Sequence, residues 1–179
     1  TDNAVLLACP PWEAARLAAD IAPKWAYLCA ELPHTAIATV YLHCKDTNFN
    51  GLIRPMVALH SDAQAPAQFV FDKGALCEQH GLLAAVVSAC TAERDDVTEK
   101  VHDQVCEQLE LVDVEVVQTV VEKRATLACT PMIDRPEAFV ADDLWACGDF
   151  IRGPYPSTIE GAVRSGQQVV TQLCQVTHR

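Results

Sequence analysis

Seven segments of the chain are rich in apolar or β-branched residues, and each predicts a β-strand. Leu82–Cys90 is apolar throughout and predicts a strand buried on both faces. Pro55 interrupts the segment Leu52–His60, which therefore predicts an edge or bulged strand. Asp72-Lys73-Gly74 predicts a turn. The predicted strands are Ala4–Cys9, Ala36–His43, Leu52–His60, Ala67–Phe71, Leu82–Cys90, Val112–Cys129 (long enough for two) and Leu144–Cys147.

Three further segments predict helices. Trp12–Ile21 is rich in alanine, and Asp96–Glu99 and Ser157–Glu160 each have the end residues of a capping box that opens a helix. The second helix carries an apolar stripe that recurs every four residues, at Val97, Val101, Val105 and Leu109. The fold class predicted is therefore α/β, or α+β for an isolated piece, with a mixed sheet and flanking helices.

The stretch from Leu144 to Gly166 is the best candidate for a functional site. A short apolar strand ends in Gly148-Asp149, and the carboxyl ends of strands are where α/β folds bind ligands. The following helix carries small residues at Gly161, Ser165 and Gly166, which indicates that something packs close to it. The alternative is a strand, a turn and a helix whose small residues serve packing alone.

Composition narrows the class of protein. The chain has 179 residues with 50% hydrophobic and 21% charged residues, which is typical of a globular domain. Its net charge of −11 argues against nucleic acid and against a basic membrane-binding patch, but not against membrane contact through apolar side chains. Thr1–Pro11 lacks the basic start of a signal peptide. We therefore expect a cytoplasmic protein that can contact the inner membrane surface.

The nine cysteines predict reduced thiols and not a metal centre. They form no Cys-x-x-Cys pair, and several lie within apolar segments. His43-Cys44 is a poor chelate because neighbouring strand residues point to opposite faces. We expect no metal site and no required disulfide.

The C-terminal stretch resembles the flavin-binding motif of the amine oxidase and phytoene desaturase superfamily. The residues that match the motif are Gly148, Asp149, Glu160, Gly161, Ala162, Ser165 and Gly166. The resemblance implies a Rossmann-like FAD-binding domain in which Asp149 bonds the ribityl–pyrophosphate part of FAD. The backbone at Thr158 and Ile159 would face the pyrimidine end of the flavin. Gly148 and Gly161 complete the implied cofactor site.

Other segments are similar to the squalene-associated branch of these desaturases. Tyr155–Gly166 carries the Tyr-Pro-x-x-Ile-Glu-Gly-Ala-Val-x-Ser-Gly pattern of that branch. The implied reaction is the reductive removal of the hydroxyl of hydroxysqualene in hopanoid biosynthesis, on an apolar isoprenoid substrate. In these families a strand ending in Ala-x-Pro-Pro belongs to the FAD domain, so the resemblance implies that Pro11 and Trp12 lie near the flavin or the substrate entrance. The alternative is a plain strand–helix turn. Tyr155 is a third candidate substrate contact. No catalytic residue is assigned.

Other functions remain open. Carotenoid desaturases share much of the motif, and a flavin amine oxidase is a weaker alternative because no aromatic pair is evident near Trp145 or Tyr155. From a different class, the chain could be a catalytically inert piece that binds lipid or self-associates.

The chain contains no Gly-x-Gly, so it lacks the turn that holds a dinucleotide pyrophosphate. We expect the C-terminal part of a longer flavoprotein, with residues 1–23 and 131–179 in the FAD-binding domain and 24–130 in a substrate-binding domain. The missing N-terminal half would be its partner, and FAD would bind the longer protein but not this piece alone. Exposed apolar surface predicts a homo-oligomer. Ala4–Cys9 and Leu144–Cys147 should lie in one sheet.

Overall fold

A computed structural model describes residues 4–176 of the chain. Two compact units are present: unit 1 runs through His34 and resumes at Leu127, and unit 2 is Thr35–Thr126. The elements in chain order are β1 (Val5–Leu7), α1 (Pro11–Ala18), α2 (Pro23–Ala30), β2 (His34–Cys44), β3 (Met56–Ala58), β4 (Phe69–Asp72), α3 (Lys73–Cys77), β5 (Leu82–Ser88), α4 (Arg94–Gln108), β6 (Val114–Leu127), β7 (Phe139–Ala141), β8 (Leu144–Ala146) and α5 (Ile159–Val176). The mixed content of helices and two sheets confirms the predicted fold class.

Unit 1 contains a three-stranded sheet in the order β1-β8-β7. The strands β1 and β8 run parallel, with Val5 opposite Leu144 and Leu7 opposite Ala146. The strand β7 pairs antiparallel with β8 as a hairpin. The prediction that the segments around Val5 and Leu144 share one sheet is therefore confirmed.

The helices of unit 1 pack on this sheet through small side chains. Ala14 and Ala18 of α1, Ala146 of β8 and Val169 of α5 are fully buried in one apolar core. The apolar segment Ala4–Cys9 predicts a buried strand, but this is wrong for β1, in which Val5 is 53% exposed. The strand β1 lies at the edge of a sheet of three strands, so on one side it has no neighbouring strand among the described residues.

Unit 2 contains a five-stranded sheet in the order β3-β4-β5-β2-β6. The pairs β3–β4, β4–β5 and β5–β2 are antiparallel. The apolar stripe of α4 is buried at Val97, Val101 and Val105, in one core with Val40 and Leu83 of the sheet. The short strand β3 is an edge strand, as Pro55 predicted, and the segment after residue 112 forms one long strand and not two.

Two local predictions in unit 2 are wrong. The expected turn at Asp72-Lys73-Gly74 is the start of α3, with Asp72 as its N-cap. The helix α4 begins at Arg94, so Asp96 lies inside its first turn and pairs with Lys100 at 2.9 Å instead of capping the helix. Acidic residues are favourable anywhere in a first turn because of the helix dipole, so their presence did not identify the cap.

Candidate functional site

The carboxyl ends of β1 and β8 meet at one edge of the sheet in unit 1. Because the strands are parallel, the chain leaves both of them in the same direction, and Cys147 N–H donates to Leu7 O at 2.9 Å just past their last pair. The chain continues from β1 through Pro10 into α1, and from β8 through Gly148 and Asp149 towards α5. This edge therefore carries the Gly148-Asp149 turn and the segment that leads into α1.

Asp149 is partly buried, and its carboxylate has no hydrogen bond or ion pair with any residue between 4 and 176. Its backbone is held, since its carbonyl accepts from Ser157 N–H at 3.2 Å. A carboxylate withdrawn from bulk water normally acquires a partner, because an unpaired buried charge is costly. Asp149 is thus an acceptor with a fixed backbone and a free side chain.

Gly148, the residue before it, is bonded through both of its backbone polar groups to Ser165 of α5. Gly148 N–H donates to Ser165 Oγ at 2.8 Å, and Ser165 Oγ lies 3.0 Å from the Gly148 carbonyl. The Ser165 side chain is buried, at 8% exposure. Sequence reasoning placed Ser165 among small packing residues and missed this contact, which joins residues 17 apart in the chain.

The first turn of α5 is capped by Thr158 and not by the predicted Ser157–Glu160 box. Thr158 Oγ1 accepts from Gly161 N–H at 3.0 Å and donates to Tyr155 O at 2.6 Å. Ser157 has a φ of 54°, which is left-handed and unlike the extended backbone of an N-cap. Its hydroxyl accepts instead from Leu127 N–H at 2.6 Å.

The amino end of α5 is open. Ile159 is 86% exposed. The N–H groups of Ile159 and Glu160 have no acceptor among the residues that the structure describes. First-turn N–H groups and the partial positive charge of a helix amino terminus favour an electron-rich ligand.

Gly161 meets the expected close approach, but its neighbour is the chain itself. A Cβ on Gly161 would lie 2.2 Å from the Tyr155 carbonyl oxygen, so no other residue fits there. A Cβ on Gly166 would meet nothing within 4 Å. The sequence predicted that another group packs closely against both glycines. This is right at Gly161 and wrong at Gly166.

The loop before α5 is conformationally strained. Tyr155 and Ser157 both have left-handed backbones, with φ of 60° and 54°. Such conformations cost about 1–3 kcal/mol each and cluster at functional sites. The Tyr155 ring is half exposed, and the Arg164 guanidinium lies 5.1 Å from its centroid.

The other two proposed substrate contacts lie at the start of α1. Pro11 is buried as the first residue of the helix, where a missing N–H costs nothing. Trp12 packs edge-on against His34, with ring centroids 5.4 Å apart. Their role towards substrate stays a prediction.

Three thiols of unit 1, those of Cys9, Cys29 and Cys147, are poor nucleophiles and poor metal ligands. Burial raises the pKa of Cys9 and Cys147, and raises that of Cys29 to about 12. At neutral pH these side chains are therefore protonated. Across residues 4–176 no three His, Cys, Asp or Glu side chains are grouped as metal ligands.

Unit 2 presents an apolar sheet face opposite α4. Register places Phe71 opposite Ala84, and Ala84 opposite Tyr41, so these side chains share one face. Met56 and Phe69 extend the face and are 52% and 40% exposed. Separately, none of the helices between residues 4 and 176 is both long enough and apolar enough to cross a membrane.

Solved structures share this fold at low sequence identity. The PF1083 protein of Pyrococcus furiosus aligns with 96% of the chain and 40% of its own length, at a TM-score of 0.66 and 12% identity. An oxidoreductase from Methanosarcina mazei aligns with 94% of the chain and 42% of its own length, at 0.65 and 12%. A candidate protoporphyrinogen oxidase from Exiguobacterium sp. 255-15 aligns with 95% of the chain and 40% of its own length, at a TM-score of 0.56 and 15% identity.

No protein-family model and no curated protein sequence matches this chain. The chain spans about two fifths of the length of each of the three solved proteins. It shares the fold of the matched portion of each, including that of the Methanosarcina mazei oxidoreductase.

Proposed function

We propose that this chain is the C-terminal part of an FAD-dependent oxidoreductase and that unit 1 holds half of its cofactor site. The observation that carries the proposal is the unpaired Asp149 carboxylate beside the open amino end of α5, at the carboxyl edge of two parallel strands. An acceptor next to free N–H donors suits a ligand with hydroxyl groups and an electron-rich ring edge. The shared fold with an oxidoreductase supports this reading.

The residues present fit a part of FAD. Asp149 would accept from hydroxyls of the ribityl–pyrophosphate part, and the N–H groups at Thr158 and Ile159 would face the pyrimidine edge. Gly148 and Gly161 would shape the site indirectly, because the space beside them is taken by Phe150 and by the Tyr155 carbonyl of the same chain. The bound flavin would supply hydride chemistry, while the chain would supply binding and orientation.

The rest of the cofactor site would come from a partner segment with the glycine-rich turn. The solved relatives are more than twice as long as the portion matched here, and β1 exposes Val5 at the edge of its sheet. On this proposal residues 1–23 and 131–179 belong to the FAD-binding domain, and residues 24–130 to the substrate-binding domain. This chain alone would bind FAD weakly or not at all.

The proposed substrate is an apolar isoprenoid. The exposed side chains of Met56 and Phe69, on one face with Phe71 and Tyr41, offer a surface for a long hydrocarbon. Within this class the squalene-like motif favours the dehydroxylation of hydroxysqualene. A carotenoid desaturase and a flavin amine oxidase are the alternatives. Contact with the membrane surface through apolar side chains would give access to such a substrate.

FAD titration of the longer protein tests the cofactor assignment. Asp149→Ala should weaken FAD binding by about ten- to a hundred-fold, since a charge-assisted hydrogen bond contributes about 1.5–3 kcal/mol. Asp142→Ala is the matched control, because it removes an exposed carboxylate from the β7–β8 turn. Equal affinity of Asp149→Ala and the parent would show that the Gly-Asp turn is only structural.

Product analysis tests the substrate. The reduced flavoprotein, supplied with hydroxysqualene, should release squalene and oxidise its flavin. Oxidation of the flavin by hydroxysqualene without squalene, or reduction of the oxidised flavoprotein by phytoene or an amine with no reaction towards hydroxysqualene, would reject the dehydroxylation and leave the flavin assignment intact.

A second candidate function, an inert self-associating piece, is favoured by the exposed apolar side chains of both units. Val5, Ile159 and Met56 are each more than half exposed. Surfaces of this kind commonly drive association. On this reading the purified chain is colourless and sediments as a homo-oligomer, whereas a yellow monomer would reject it.

A further inference from the structure

Ser165 makes more contacts than helix packing requires. Its Oγ accepts from Gly148 N–H at 2.8 Å and lies 3.0 Å from both the Gly148 and the Ala162 carbonyls. A hydroxyl has one hydrogen, so it is shared between these two carbonyls while a lone pair receives the N–H. A serine that bonds its own helix at Ala162 is common. The bond from Gly148 N–H, across 17 residues, has no such local reason.

The contact with Gly148 controls the backbone of Asp149. The Gly148 carbonyl and the Asp149 N–H belong to one planar peptide, so holding that carbonyl also holds the start of Asp149. The Asp149 carbonyl is held in turn by Ser157 N–H at 3.2 Å. With both peptides fixed, only the two side-chain rotations of Asp149 remain free.

Gly148 needs such a restraint from outside. A Cβ at this position would lie 2.6 Å from Phe150 Cε1, so a residue with its own conformational preference does not fit. Glycine alone leaves the turn with more backbone freedom than any other residue. Because Ser165 is buried, at 8% exposure, water does not compete well for its hydrogen bonds.

We propose that Ser165 is a positioning residue for cofactor binding, which holds Gly148 on both sides and so aims the Asp149 carboxylate at the ligand. This inference rests on the proposed FAD site. A turn that is already ordered loses no conformational entropy when the ligand binds. The entropy lost on immobilising one flexible group weakens binding by up to about tenfold.

A double-mutant cycle on FAD affinity in the longer protein separates positioning from general stability. Ser165→Ala should weaken FAD binding by up to about tenfold. If Ser165 acts through Asp149, adding Ser165→Ala to Asp149→Ala should cause no further loss. Thr171→Ala is the control on the same helix, because its hydroxyl donates only to Gln167 O at 2.8 Å. If the loss of FAD affinity in the double variant equals the product of the two single-variant losses, the inference is overturned.

An isosteric pair keeps the test valid if Ser165→Ala folds poorly. Ser165→Thr and Ser165→Val have nearly the same shape and differ in the hydroxyl. The threonine variant should bind FAD more tightly than the valine variant, and equal affinities would reject the positioning role. If the parent protein binds no FAD, the proposed function fails instead. If Asp149→Ala weakens binding while Ser165→Ala does not, only the role of Ser165 fails.

Discussion

Asp72 in unit 2 and Asp149 in unit 1 both lie at the carboxyl end of a strand, yet their carboxylates have opposite surroundings. Asp72 is 2% exposed and accepts from Gly74 and Ala75 N–H with Oδ1, at 2.8 and 3.2 Å, and from Leu52 N–H with Oδ2, at 2.8 Å. The Asp149 carboxylate accepts no hydrogen bond from any group within residues 4–176. A carboxylate whose oxygens already accept hydrogen bonds from the chain stabilises the fold, whereas one without such partners is available to a ligand.

The same contrast extends beyond the two aspartates. In unit 2 the buried side chain of Gln104 accepts from Ala67 N–H at 2.8 Å and donates to the carbonyls of His60 and Ala67, both at 2.9 Å. In unit 1 the amino end of α5 is open, and the loop before it is strained at Tyr155. The buried side chains of Asp72 and Gln104 are therefore hydrogen-bonded within unit 2, whereas the described part of unit 1 has unpaired N–H donors at α5 and an unpaired carboxylate at Asp149.

The largest expected effect concerns Asp72. Asp72→Ala should lower the free energy of unfolding by about 3 kcal/mol or more, because three backbone N–H groups lose their acceptor together. Urea unfolding followed by circular dichroism measures this. Asp72→Asn keeps one acceptor oxygen and should lose less. A fully stable Asp72→Ala protein would remove the distinction between the two aspartates.

The two glycines of α5 should respond in opposite directions. Gly161→Ala forces a Cβ to within 2.2 Å of the Tyr155 carbonyl and should cost about 2 kcal/mol of unfolding free energy. Gly166→Ala meets open space and should gain about 1 kcal/mol, since alanine is the better helix former. Thermal unfolding of both variants tests the pair, and a shift of the same sign in each would contradict the structure.

Asp149→Ala should leave the protein without FAD almost as stable as the parent. Its carboxylate makes no bond that the substitution removes, so we expect a change in unfolding free energy below about 0.5 kcal/mol. Urea unfolding in the absence of flavin is the measurement. A loss comparable to that of Asp72→Ala would identify Asp149 as a second structural carboxylate.

The smallest effect concerns His102 of unit 2. A hydrogen bond with Asp103 is the main cause that raises its pKa above the ordinary 6.5, and its other nitrogen bonds the Val114 carbonyl. The protonated form is favoured in the folded state, so its contribution is fully present below pH 6.5 and is lost as pH rises through the folded pKa. A proton NMR titration of His102 should give a midpoint above 6.5, and His102→Gln should remove this pH dependence. A midpoint below 6.5 would contradict the contacts.

Patterns confined to one element were readable from the sequence. Val97, Val101 and Val105 recur every four residues, and all three are fully buried on one face of α4. The prediction that β1 and β8 lie in one sheet followed from the family resemblance, and the register of Val5 with Leu144 confirms it. Their direct parallel pairing was shown by the structure alone. The position of Asp149 after an apolar strand was also evident, because a strand and a Gly-Asp turn are local features.

Features that depend on distant residues were decided by the tertiary structure. Ser157 looked like a helix cap, but its bond to Leu127 N–H holds it in a left-handed conformation and passes the cap to Thr158. Ser165 looked like a packing residue until the fold brought Gly148 within 2.8 Å of its hydroxyl. A short polar side chain has several possible backbone partners nearby, and only the packing of strands and helices selects one of them.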